Sequence, residues 1–127
     1  MPIDCPGHIL IVDDNGAIRT LLAEALEERG YRVASAATGS SMRDILNSGG
    51  IDAVILDIRI PEEDGHSIAL HAIELGLPTI MMSGSGEEIG FAEIHGVALL
   101  RKPFRMQELF AALDAAMGSS SGAARQA

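Results

Sequence analysis

Five times along this chain a short aliphatic run gives way to a segment of helical periodicity, and that alternation restricts the fold more than any other feature of the sequence. The runs are His8–Val12 (HILIV), Tyr31–Ala34 (YRVA), Ala53–Leu56 (AVIL), Pro78–Met82 (PTIMM) and Val97–Leu100 (VALL). Short, nearly continuous apolar runs are the pattern of strands covered on both faces. Residues 16–29 follow the first run, with Ile18, Leu21, Leu22, Ala25 and Leu26 at helical spacing, Asn15 as N-cap and Gly30 as stop. Ser40–Ser48, His66–Leu75, Glu87–Ile94 and Arg105–Met117 read as the other helices. The last carries an apolar stripe of Met106, Leu109, Phe110, Leu113 and Met117. Strands joined by helical crossovers lie parallel, so the pattern predicts an open α/β sheet with helices on both faces. Right-handed crossovers then leave few topologies, a flavodoxin-like doubly wound sheet among them.

The domain this predicts spans residues 8–117, after a flexible stretch at 1–7. The small, polar segment 118–127 (GSSSGAARQA) is expected to be disordered. With 47% hydrophobic but only 3% aromatic residues, the core must be built from Ile, Leu, Val, Ala and Met. The formal charge of −9 argues against a protein that grips nucleic-acid phosphates, which needs clustered Lys and Arg. No apolar stretch is long enough to span a bilayer and no signal peptide is visible, so a cytoplasmic setting is expected. A lone cysteine, Cys5, fits a reducing compartment. His8, His66, His71 and His95 lack the spacing of metal ligands and read as ordinary residues.

In sheets of this kind ligands bind beyond the carboxyl ends of the strands. Asp13 and Asp14 follow the first strand, Asp57 the third, Ser83 the fourth, and Arg101-Lys102-Pro103 the fifth. Three carboxylates brought to one edge repel one another, and a hard cation such as Mg²⁺ would relieve this. A carboxylate nucleophile beside Mg²⁺ and a lysine suits phosphoryl transfer, which needs positioning and neutralisation more than covalent machinery.

The Asp13-Asp14 pair, Asp57 in the segment DIRIPEEDG, Ser83, and Lys102-Pro103-Phe104, each at a strand end, together resemble the receiver domain of bacterial two-component response regulators. The resemblance covers roughly residues 8–117. It implies a flavodoxin-like (βα)5 fold with strand order 2-1-3-4-5 and Asp57 as the phospho-acceptor. Asp14 and Asp57 would bind Mg²⁺ directly, Asp13 through water, and Arg59 through its backbone carbonyl. Lys102 and Ser83 would hold the phosphoryl group, and the Lys102–Pro103 peptide would be cis, a minority state for such bonds in general. The phosphoryl donor would be a sensor histidine kinase or a histidine phosphotransfer protein in a phosphorelay, with no nucleic acid or membrane involved and a homodimer left open. The receiver would catalyse only its own phosphorylation and dephosphorylation. Its output would be a conformational change.

The sequence also departs from that family's pattern. Leu99 stands where an aromatic usually reports phosphorylation, leaving Ser83 as the hydroxyl half of the switch without its ring. The fourth helix looks trimmed and is flanked by Gly84, Gly86 and Gly90, which predicts a short, mobile element. Arg59 and Ser85 would lie near the mouth of the site and tune the lifetime of the acyl phosphate. The segment Gly84–Gly90 (GSGEEIG) faintly resembles a dinucleotide fingerprint, but its third glycine falls one position late. Two rival functions remain. One is a Mg²⁺-dependent phosphohydrolase working through an aspartyl phosphate, which Arg59 in place of a second acid and the lack of a cap insertion disfavour. The other is a docking module that no longer takes phosphate.

Overall fold

The structure is a computed structural model and describes residues 7–60, 64–84 and 88–126, with the backbone alone described after Met117. Five strands alternate with five helices: β1 (His8–Val12), α1 (Gly16–Glu28), β2 (Arg32–Ala36), α2 (Gly39–Ser48), β3 (Ala53–Asp57), α3 (Gly65–Glu74), β4 (Thr79–Ser83), α4 (Ile89–His95), β5 (Ala98–Arg101) and α5 (Met106–Gln126). The strands form one parallel sheet in the order β2-β1-β3-β4-β5, as the resemblance implied.

Successive side chains of a strand point to opposite faces of a sheet, and this sorts the core into two layers. Leu10, Val12, Val54, Leu56 and Met81 meet Met42 and Leu46 of α2 and Ile68, Ala69 and Ala72 of α3. Ile9, Ile11, Ile55, Ile80 and Met82 meet Leu22 and Leu26 of α1 and Leu109 and Leu113 of α5. Both registers of each central strand are therefore buried, which is why those strands read as unbroken aliphatic runs.

Strand limits differ from the sequence reading where pairing extends or removes a residue. β2 runs to Ala36 because its five residues pair in register with all of His8–Val12. Pairing between β3 and β4 extends to Asp57↔Met82, and between β4 and β5 to Ser83↔Arg101. Asp57 and Ser83 are thus the last residues of their strands and not the first residues after them. Asn15 caps α1 as expected, its Oδ1 accepting from the N–H groups of Ala17 and Ile18 at 2.9 and 3.1 Å. α2 starts one residue earlier than its apolar pattern suggests, because Thr38 caps it by accepting from Ser41 N–H at 3.0 Å.

Gly65 opens α3, and a Cβ there would lie 2.0 Å from the Ile58 carbonyl oxygen. It is required by close approach of two backbone segments. α4 is short, at seven residues. The backbone of α5 runs past Met117 to Gln126. No proline follows Pro103, so no residue there lacks the N–H that the helix needs. The readings that involved Cys5, Glu62, Glu63, Ser85 and Gly86 lie outside the described residues.

Candidate functional site

The parallel sheet delivers the carboxyl ends of β1, β3, β4 and β5 to one edge, and the residues singled out at those ends come together there. Asp13 leaves β1 with its backbone N–H donated to Ala36 O at 3.1 Å. Its carbonyl accepts from Arg19 Nη1 at 2.7 Å, so α1 reaches back to fix the turn. Asp13 Oδ1 accepts from Asn15 N–H at 2.8 Å. Asp14 is exposed at the rim, while Asp13 and Asp57 are buried. One carboxylate oxygen from each of Asp13, Asp14 and Asp57 falls within 4.8 Å of the others, the one such group among the described residues.

Asp57 is fixed from two sides. Its Oδ1 accepts from Arg59 N–H at 2.9 Å and its Oδ2 from Lys102 Nζ at 2.9 Å. Lys102 is placed by its own backbone, which donates to Ser83 O at 2.7 Å, and by a cis Lys102–Pro103 peptide. Its ammonium also lies 4.0 Å from Asp13 Oδ2, too far for a hydrogen bond.

The charge balance of this pocket is incomplete. Asp13 Oδ2 is buried and has no hydrogen-bond partner. Burial pushes the Asp13 carboxyl above its ordinary range; the Asn15 N–H works against this, the Asp57 charge adds to it, and Lys102 offsets part. A buried carboxylate oxygen aimed beside two others, with one ammonium shared among them, is a site short of positive charge. An all-oxygen donor set of this kind fits a hard divalent ion such as Mg²⁺.

Ser83, 1% exposed at the end of β4, donates its hydroxyl to Glu88 Oε1. The sequence reading assigned no role to Glu88 or to Arg19. Neither is adjacent in sequence to its partner, and only the folded loop or the first turns of α1 bring them together. Leu99 is half-buried and, like Phe91 of α4, packs against the core layer on the α2/α3 face. Phe91 is the aromatic of this region, its ring 4.6 Å from that of His66 and 4.4 Å from that of His95.

Two cavities flank the sheet ends. One of about 410 Å³ opens beside Lys102, between Ile18 and Leu21 of α1 and Phe104 and Met106 at the start of α5. A larger one of about 570 Å³ lies at the opposite end of the sheet, around Leu77, Pro78, Val97 and Ala112, and is lined by no carboxylate. The chemistry belongs to the first end. Among the described residues no helix is long and apolar enough to cross a membrane.

Comparison with known proteins agrees with this geometry. Residues 9–114 match the family model of the response regulator receiver domain. The chain is 32% identical over 123 residues to the transcriptional regulatory protein GlrR of Escherichia coli K12, covering 93% of this chain and 28% of that protein. It is 36% identical over 113 residues to the transcriptional regulatory protein TcrA of Mycobacterium tuberculosis, covering 85% of this chain and 45% of that one. It therefore spans less than half the length of either relative. Among solved structures, a CheY-like receiver domain protein from Methanospirillum hungatei superposes with a TM-score of 0.84 at 28% identity, covering 91% of this chain and 97% of that one. The non-phosphorylated receiver domain of HemR from Leptospira biflexa gives 0.79 at 27% identity, covering 87% and 94%. With its sheet order, its acidic pocket and its lysine in place, the chain belongs to the family of two-component response regulator receiver domains.

Proposed function

We propose that this receiver domain accepts a phosphoryl group on Asp57 from a phosphohistidine, with Asp14 and Asp57 as direct ligands of Mg²⁺, Asp13 acting through water and the Arg59 carbonyl completing the protein's share. The observation that carries this reading is the Asp57 carboxylate, held between Lys102 Nζ and Arg59 N–H within a pocket of three acids. When bound, Mg²⁺ supplies neutralisation of charge on the phosphoryl oxygens and on the carboxylates.

The chain's own residues do the rest. One Asp57 oxygen attacks phosphorus as the P–N bond to the donor imidazole breaks; the electron pair leaves with the imidazole nitrogen, which takes a proton. Lys102 holds Asp57 Oδ2 before the reaction, and its ammonium pairs with the phosphoryl group afterwards. The Arg59 N–H restrains rotation of the carboxylate, so the attacking oxygen is aimed before the donor arrives. Ser83 donates to a phosphoryl oxygen. Dephosphorylation runs at the same atoms with water as acceptor, so the domain catalyses only its own two reactions.

Receiver domains of response regulators interact with histidine kinases, and the donor here is a sensor histidine kinase or a histidine phosphotransfer protein in the cytoplasm. The apolar groove beside Lys102, extended by Leu21 at 54% exposure, offers such a donor a contact next to the acceptor. The net charge of −9 sets the domain apart from nucleic acid.

The test is incubation with Mg²⁺ and a small phosphodonor, followed by intact-mass measurement. The wild type gains about 80 Da, one phosphoryl group, and Asp57→Asn gains nothing. An equal adduct on Asp57→Asn would refute the assignment. Repeated turnover of the donor with no adduct would indicate a phosphohydrolase, and failure to bind either Mg²⁺ or phosphate would leave a docking module.

A further inference from the structure

Glu88 has no part in the chemistry above, yet it is a buried acid 9% exposed, close to the site. It occupies the N-cap position of α4, but its side chain makes no capping hydrogen bond to that helix. Its carboxylate turns to β4 and accepts the hydroxyl of Ser83. Ser83 is bound to the phosphoryl side of the site through its backbone, its carbonyl accepting from Lys102 N–H at 2.7 Å. One residue thus touches Lys102 through its main chain and Glu88 through its side chain.

A serine hydroxyl has one proton to donate. While Glu88 holds that proton, Ser83 cannot donate it to an oxygen on Asp57. A hydrogen bond to a charged acceptor, made out of contact with water, is also among the stronger ones. Resting on the reading of Asp57 as acceptor and Ser83 as phosphoryl ligand, we propose that Glu88 is a positioning residue that holds the Ser83 hydroxyl in the unphosphorylated state and competes with the phosphoryl group for its proton. Phosphorylation then takes this donor from a buried carboxylate at the first turn of α4. The carboxylate thereby loses one hydrogen bond inside the protein, and the start of α4 must accommodate that loss. This links Asp57 to α4 in a chain that has Leu99 in place of an aromatic reporter.

The test is equilibrium binding of beryllium trifluoride, a phosphoryl mimic, in the presence of Mg²⁺. The proteins are the wild type, Glu88→Ala, Glu88→Gln, Ser83→Ala and the Ser83→Ala/Glu88→Ala double variant. Loss of the competing acceptor tightens binding by about tenfold in Glu88→Ala, the scale of one charge-assisted hydrogen bond. Glu88→Gln tightens it by less, and it keeps the side chain's volume should the alanine variant fail to fold. With Ser83→Ala as background, Glu88→Ala changes affinity by about twofold or less, because no hydroxyl remains to compete for. Equal tightening in both backgrounds would show a through-space charge effect and overturn the proposal, as would weaker binding by Glu88→Ala alone. Asp57→Asn is the control for the underlying reading. If the wild type binds the mimic and Asp57→Asn does not, the acceptor stands whatever Glu88 does; if the wild type fails to bind, acceptor and proposal fall together.

Discussion

Asp13 is the residue at which burial and charge conflict most directly. At 1% exposure it carries one satisfied oxygen and one without a hydrogen-bond partner, and burial raises its pKa above the ordinary 3.8. Between the unfolded value and the raised folded one, the folded state binds more protons than the unfolded state. Stability therefore falls as pH rises through that window, and above it the whole penalty is present. At neutral pH in EDTA, Asp13→Asn should raise the Tm, and the gain should shrink as pH falls through the raised folded value and be gone once pH is below about 4, where the aspartate is protonated in both states. Saturating Mg²⁺ should raise the wild-type Tm by mass action and raise that of Asp13→Asn less. Thermal melts across pH, with and without Mg²⁺, check both statements; a lower Tm for Asp13→Asn in EDTA at neutral pH would contradict the account. The candidate acids were legible because each ends an aliphatic strand. The orphaned oxygen was not, since it depends on which neighbours the sheet places around it.

The elements show a different division. α1 was readable nearly to the residue because Asn15 caps it through contacts two and three residues away, and contacts that local are written in the sequence. The shortness of α4 was readable for a similar reason, since Gly84 lies before it and Gly90 falls in its first turn. The need for glycine at position 65 was not legible, because its constraint comes from Ile58, across a loop. In Gly65→Ala the new methyl would meet a backbone carbonyl oxygen 2.0 Å away, so main chain must shift. The expected cost is about 1–3 kcal/mol, the usual range for overpacking, read as a lower urea midpoint with an unchanged slope. Because α3 begins at Gly65, directly after its Asp64 cap, the same shift should disturb the loop that follows Asp57.

For the whole molecule, the two-sided sheet sets both stability and the position of the site. α5 closes one face with Leu109 and Leu113, both fully buried against β-strand residues such as Ile80 and Met82. Leu109→Ala should cost about 2–5 kcal/mol in chemical denaturation, a large share of the 5–15 kcal/mol typical of such domains. A loss well under 1 kcal/mol would mean that α5 is not integral to the core. Residue pattern along the chain was enough for the class of fold, because strands buried on both faces must be continuously aliphatic and parallel strands need helical crossovers. It also showed which residues lie at or beside the strand ends, and so which acids, hydroxyl and lysine could meet. How they meet is visible in the folded chain alone: Lys102 on Asp57, Arg19 on the Asp13 carbonyl, and Glu88 on Ser83. Local periodicity encodes burial, whereas contacts across loops depend on how separate segments are set against each other, and no short window of sequence contains that.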